Sequence, residues 1–153
     1  MNRKTLLAVA VSSLVVSAYL AALYAGFEGG YDYSKEQWKD CVGYGMSGGT
    51  AYSALSRCHV IILLSVVPII LINLLGRRMV LEIVAACCCL VALWQEIYWF
   101  QALKYIGEGY GSSFYDLLRE TVLLGWVSAA LVLMLTTLQI ASLFRIRKER
   151  PES

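Results

Sequence analysis

Four long apolar blocks decide what this chain can become. They cover about residues 6–26, 58–75, 79–105 and 118–144, each near or above the roughly 18 residues that mark a candidate membrane span. The first carries no charge, the second has Pro68 at its centre, and the third contains Glu82 and Glu96. Hydrocarbon offers no partner for a free backbone N–H or C=O, so segments of this kind must be helical. The composition agrees: 59% of residues are hydrophobic and 16% charged, against about 45–50% and about 25% in soluble domains. The expected fold is an all-α membrane protein, a four-transmembrane-helix bundle occupying residues 1–153 as one unit.

Lys and Arg beside the spans predict the orientation. Arg3, Lys4, Arg77, Arg78, Arg145, Arg147, Lys148 and Arg150 fall on one side. The other side holds Lys35, Lys39, Arg57, Lys104 and Arg119, offset by Glu28, Asp32, Glu36, Asp40, Glu108, Asp116 and Glu120. Both ends are therefore expected on the cytoplasmic side, with an outer loop over 27–57 and a cytoplasmic tail over 145–153. The tight Gly76-Arg77-Arg78 turn makes spans two and three an antiparallel hairpin. Asn2-Arg3-Lys4 before the first block also has the form of a secretory signal. The apolar run is long for one, however, and Leu23 two residues before Ala25 makes a mediocre cleavage site. The block is read as a retained span.

Small residues mark a packing face on the first span. Ser13, Ser17, Ala21 and Ala25 recur every four residues, which lets another helix approach closely where dispersion decides association. The neighbour is another span of the same chain or a partner's helix, and Gly125, Ser128 and Ala129 offer a matching face on the fourth span. Pro68 removes one backbone hydrogen bond and is expected to kink the second. Trp94, Tyr98, Trp99, Phe100 and Tyr105 read as an interfacial aromatic belt. Asn73 and Gln139 are expected to join helices by hydrogen bonds, and Glu82 to snorkel or to pair with Arg78.

The chemistry-bearing residues are few. Cys87, Cys88 and Cys89 are consecutive, fan over different helix faces and cannot converge on one metal. Cys41 and Cys58 fall on the outer side, where an oxidising compartment would let them form a disulfide. His59, Glu96 and Arg119 lie at or near the outer ends of three spans, and intramembrane ionisable residues are functional candidates by default. They are expected either to form a polar cluster beneath the outer surface or to reach separately into the headgroups.

In the outer loop, Ser34 and Gln37 make a capping box for a short helix from Lys35 to about Cys41. Val42-Gly43-Tyr44-Gly45 coincides with the carbonyl-lined core of a potassium-channel filter. It is not read as one, because Cys41 stands where that filter has Thr, no Asp follows, and the preceding segment is charged.

One histidine, no paired carboxylates within a span and no nucleotide-binding loop leave little for catalysis. A C-x-x-C pair, which a membrane thiol oxidoreductase would need, is missing. The chain is therefore expected to be no enzyme and to take no cofactor, metal or nucleic acid. The leading expectation is an interaction protein in a bacterial inner membrane, surrounded by lipid and holding a membrane-protein or toxin partner. It would serve as an immunity protein against a membrane-acting toxin or as an accessory subunit of a membrane complex. The alternative is a small channel or transporter assembled as a homo-oligomer.

Overall fold

A computed structural model describes the backbone over residues 3–30, 48–75, 79–110 and 112–149, and side chains over 3–25, 55–75, 79–103 and 121–145. It contains four helices: α1 (Arg3–Gly30), α2 (Gly48–Leu75), α3 (Met79–Tyr110) and α4 (Ser112–Glu149). Within them lie four stretches long and apolar enough to cross a membrane, Arg3–Ala25, Leu55–Leu75, Met79–Leu103 and Thr121–Arg145. At 1.5 Å per residue, each spans a hydrocarbon core of about 30 Å. This is the architecture of a multi-pass membrane protein.

The helices run past the apolar blocks. α2 begins at Gly48 and α4 at Ser112, earlier than the 58 and 118 expected from hydropathy. Nothing in the polar run Thr50–Arg57 breaks a helix, and the Gly48-Gly49 pair stands at its start. α2 continues through Pro68 to Leu75.

α1 packs on α2, α2 on α3, α3 on α4, and α4 closes the ring on α1. Ser56, early in α2, donates from Oγ to the carbonyl of Ala21, late in α1, at 3.0 Å. α3 and α4 likewise meet start to end, Glu82 with Gln139 and Glu96 with Ser128. Neighbours are therefore antiparallel. α1 begins and α4 finishes at one end of the bundle, called basal here; the opposite end is distal.

Each helix turns one stripe inward. The stripes pass through buried positions 6, 10, 13, 17, 20 and 24 on α1 and 55, 59, 62, 66, 69 and 73 on α2, with 9, 21, 58, 65 and 72 buried beside them. On α3 they are 82, 85, 89, 92, 96 and 99, and on α4 121, 125, 128, 132, 135, 139 and 142. Steps alternating between three and four average 3.5 residues, the repeat that holds one stripe against its neighbours over many turns. The stripe is rich in small and polar residues, whereas Val15, Leu64, Leu74, Val80, Leu90, Leu123 and Leu133 are exposed on the outside. That inversion of the soluble pattern is what lipid permits, because apolar side chains gain as much outside as inside and close backbone approach decides the interior.

The 3.5-residue repeat also corrects the packing face on α1. Ser13, Ser17 and Ala21 are buried, but Ala25 is exposed. A strict four-residue row turns about 40° per step at 100° per residue, so after three steps it has rotated about 120° away from the seam. Leu20 and Tyr24 take over the inward position.

Candidate functional site

Most buried polar residues fall into two groups, separated by a largely apolar layer in which Ser13 and Ser17 of α1 are also buried. The layer is built from Ile62, Val66, Cys89, Ala92, Val132 and Leu135, with residues from all four helices in the same cluster. Ser65 and Thr136 within it donate to the carbonyls of Ile61 and Val132 one turn back, at 2.8 and 2.7 Å. Such back-bonding satisfies these two hydroxyls locally, whereas the Ser13 and Ser17 hydroxyls of α1 have no partner among the described residues. The cysteines fan as expected: Cys87 is exposed, Cys88 intermediate and Cys89 buried.

The basal group is a relay through three helices. Asn73 Nδ2 on α2 donates to Gln139 Oε1 on α4 at 3.3 Å, and to the Ile69 carbonyl at 2.8 Å. Gln139 Nε2 in turn donates to Glu82 Oε2 on α3. An amide is the side chain this position calls for, because it accepts from Asn73 on one atom and donates to a carboxyl from the other. Asn73 and Gln139 thus join the helices as their sequence positions suggested. Glu82 departs from expectation: its side chain is buried and takes Gln139 rather than snorkelling. Arg78, the pairing partner considered for it, lies outside the described residues.

The distal group is larger, and its core is aromatic. Tyr24 of α1 stacks on His59 of α2 with centroids 5.8 Å apart and planes 12° from parallel. His59 meets the edge of Trp99 of α3 at 5.6 Å. Trp99 reaches this place because α4 has Gly125 there: a Cβ on Gly125 would clash with the ring edge at Cη2, Cζ2 and Cζ3. The face formed by Gly125 and Ser128 therefore receives α3. One turn before Trp99, Glu96 Oε1 accepts from Ser128 Oγ of α4 at 2.6 Å. Thr121 and Trp99 flank the Tyr24 hydroxyl. Cys58 is buried in the same cluster and lies beside Glu96.

The aromatic series divides accordingly. Trp94 and Tyr98 are exposed on the outside of α3, where a belt would place them. Trp99 is fully buried, and Phe100 bridges it to Trp126 of α4, with centroids at 4.8 and 4.6 Å. The run therefore leads from the interior to the outer surface. Tyr105 lies outside the described side chains.

His59 is 0% and Glu96 2% exposed, so both point into the bundle instead of toward headgroups. They share the distal group without a direct hydrogen bond. The Arg119 side chain lies outside the described residues, as do Cys41, the Ser34–Gln37 capping box and the Val42–Gly45 segment. Among the described residues, no group of three His, Cys, Asp or Glu side chains is placed to hold a metal ion.

The two groups differ most in satisfaction. His59 Nδ1 and Nε2 and Glu96 Oε2 are buried without a hydrogen-bond partner among the described residues, whereas Tyr24 Oη and Trp99 Nε1 lie against each other, with Thr121 beside the hydroxyl. The Ser13, Ser17 and Ser142 hydroxyls are also buried without a partner among the described residues. A buried donor or acceptor left unpaired costs about 1–3 kcal/mol. Sequence reasoning selected His59 and Glu96 but missed Tyr24 and the inward turn of Trp99. The signal was present in the alternation 82, 85, 89, 92, 96, 99, which places Trp99 on the stripe of Glu82 and Glu96. No protein-family model, curated protein or solved structure matches the chain.

Proposed function

We propose that this protein acts by contact, as an integral membrane interaction protein that holds or blocks a partner within or above the bilayer. The supporting observation is the apolar layer of Ile62, Val66, Cys89, Ala92, Val132 and Leu135 between the two polar groups. A conducting path needs polar residues or water across the midplane, where this bundle buries only isolated hydroxyls such as Ser13, Ser17 and Ser65 among apolar side chains. What remains available is the surface. It carries Tyr19, Trp94, Tyr98 and Trp126 exposed among aliphatic residues, together with whatever the segments joining the spans present.

We place both termini in the cytoplasm of a bacterial inner membrane, on the excess of Lys and Arg beside the basal ends of the spans. The distal end and the segment between α1 and α2 then face outward, toward a partner in the bilayer or arriving from outside. Two roles fit: immunity against a membrane-acting toxin, and accessory subunit of a membrane complex. No reaction is assigned to the protein.

Isolation from native membranes after cross-linking tests the reading. One defined membrane protein or toxin is expected in constant ratio to this chain. In the immunity role, expression protects cells from that toxin; in the accessory role, deletion lowers the abundance of the complex. Recovery of the protein alone, together with ion or solute flux in reconstituted liposomes, would replace contact with transport by a homo-oligomer.

A further inference from the structure

The first and last helices are neighbours, and α1 begins where α4 finishes. At the distal end the Tyr24 hydroxyl of α1 meets Thr121 of α4, which fixes how the two antiparallel helices are aligned. Tyr24 back to Arg3 and Thr121 onward to Ser142 are equal lengths of helix, about 32 Å at 1.5 Å per residue. Arg3 and Lys4 therefore stand at about the height of Ser142, with Arg145 about one turn beyond. That height is the rim of a hydrocarbon core of about 30 Å.

The side chains of Arg3, Lys4 and Arg145 are all exposed at this rim. Lys4 and Arg145 also interact within the protein, yet both remain open to the outside. Arg147 and Lys148 continue the charge along α4. Acids do not cancel it: Glu82 is buried against Gln139, and Glu149 and Glu152 are outnumbered. Just inside the rim, Ala8 of α1 and Ala141 and Phe144 of α4 present an exposed apolar surface.

We propose that the basal rim of the α1–α4 pair binds an anionic phospholipid. Its phosphate is held by Arg3 and Lys4 from one helix and Arg145 from the other, and its acyl chains lie beside Ala8, Ala141 and Phe144. A guanidinium engages phosphate oxygens through two parallel N–H donors. A cluster of such cations favours a headgroup with net negative charge over a zwitterionic one, whose own ammonium it repels. The site exists only because the ring closes, since almost the whole sequence separates Lys4 from Arg145. It rests on the helices crossing a membrane and not on which protein the surface meets.

The test takes full-length protein reconstituted into liposomes of phosphatidylglycerol and phosphatidylethanolamine in equal amounts. The protein is extracted in mild detergent, and the lipids it retains are identified by native mass spectrometry. Phosphatidylglycerol is expected to be retained about tenfold over phosphatidylethanolamine. Arg3→Gln/Arg145→Gln should lower that retention about tenfold, whereas Arg3→Lys/Arg145→Lys, which keeps both charges, should stay within about threefold of the parent. Arg77→Gln/Arg78→Gln removes the same charge from the connection between α2 and α3 and should change retention by less than about twofold. Equal losses from the two Gln pairs would mean that a basic end attracts anionic lipid without a site, and the proposal would be abandoned. Equal retention of the two lipids would overturn it as well, as would a loss in the Lys pair as deep as in Arg3→Gln/Arg145→Gln, because charge would then not be what holds the lipid.

Discussion

The two ends of this bundle bury similar residues under opposite conditions. At the basal end an Asn, a Gln and a Glu from three helices are linked donor to acceptor, so carboxyl and amides have protein partners. At the distal end a His and a Glu are equally buried, yet only one Glu96 oxygen is engaged, by Ser128, and neither His59 nitrogen has a partner among the described residues. Polarity inside a membrane bundle therefore carries no fixed sign. A completed relay acts as a clasp, whereas the same chemistry left incomplete is a liability that favours separation. Substitutions at the two ends should consequently have opposite effects.

The largest effect should come from Gly125, where α4 meets the Trp99 indole. Gly125→Leu forces the ring out of the distal layer and should cost about 3 kcal/mol, at the upper end of overpacking. Thermal unfolding in detergent micelles would report it. The double substitution Gly125→Leu/Trp99→Ala should recover part of the loss, since the strain belongs to the pair. Equal loss in the single and double variants would show that Gly125 serves α4 itself and not the Trp99 contact.

Next is Gln139→Leu at the basal end. It removes the amide that both accepts from Asn73 and donates to Glu82, leaving two buried groups wanting partners. A loss of about 2 kcal/mol is expected, moderated because a chain unfolded within lipid also finds partners. Replacing Asn73, Glu82 and Gln139 together by Leu should be milder than Gln139→Leu alone, because no orphan is left. If the triple variant is the worse of the two, the relay contributes more than satisfaction of its own members.

Hydropathy showed the four spans plainly because crossing lipid places a demand on length and composition that little else imposes. The inside of the bundle was less legible. Apolar residues are welcome on both faces, so hydrophobic periodicity is weak, and the guide is the fainter recurrence of small and polar residues every 3.5 positions. Asn73 and Gln139 were readable as helix joiners because an amide in a span has few other uses. Trp99 was not, since an aromatic near a span end usually belongs to the interface, and only the missing side chain of Gly125 on another helix lets it turn inward. A contact of that kind depends on which helices become neighbours, which one-dimensional pattern does not state.

Ser128→Ala probes the side-chain joint between α3 and α4 at the distal end. It leaves Glu96 with neither oxygen engaged by Ser128 and should lower stability by about 1 kcal/mol. Unchanged stability would show that the Glu96–Ser128 bond adds nothing net to the α3–α4 contact.

The smallest effect, and the sharpest for the comparison, belongs to His59→Phe. A buried histidine in a hydrogen-bonded setting loses stability when its nitrogens are removed. Here neither nitrogen has a partner among the described residues, and the ring's contacts are a stack on Tyr24 and an edge on Trp99, which a phenyl ring can also make. The substitution should therefore leave the unfolding temperature unchanged or raise it slightly, by about 0.5 kcal/mol in stability. Gln139→Leu exchanges a polar for an apolar side chain at a similar level of burial and should go the other way. A clear loss for His59→Phe, comparable to that for Gln139→Leu, would mean that His59 is engaged as firmly as the basal relay. The two ends would then differ in composition but not in kind.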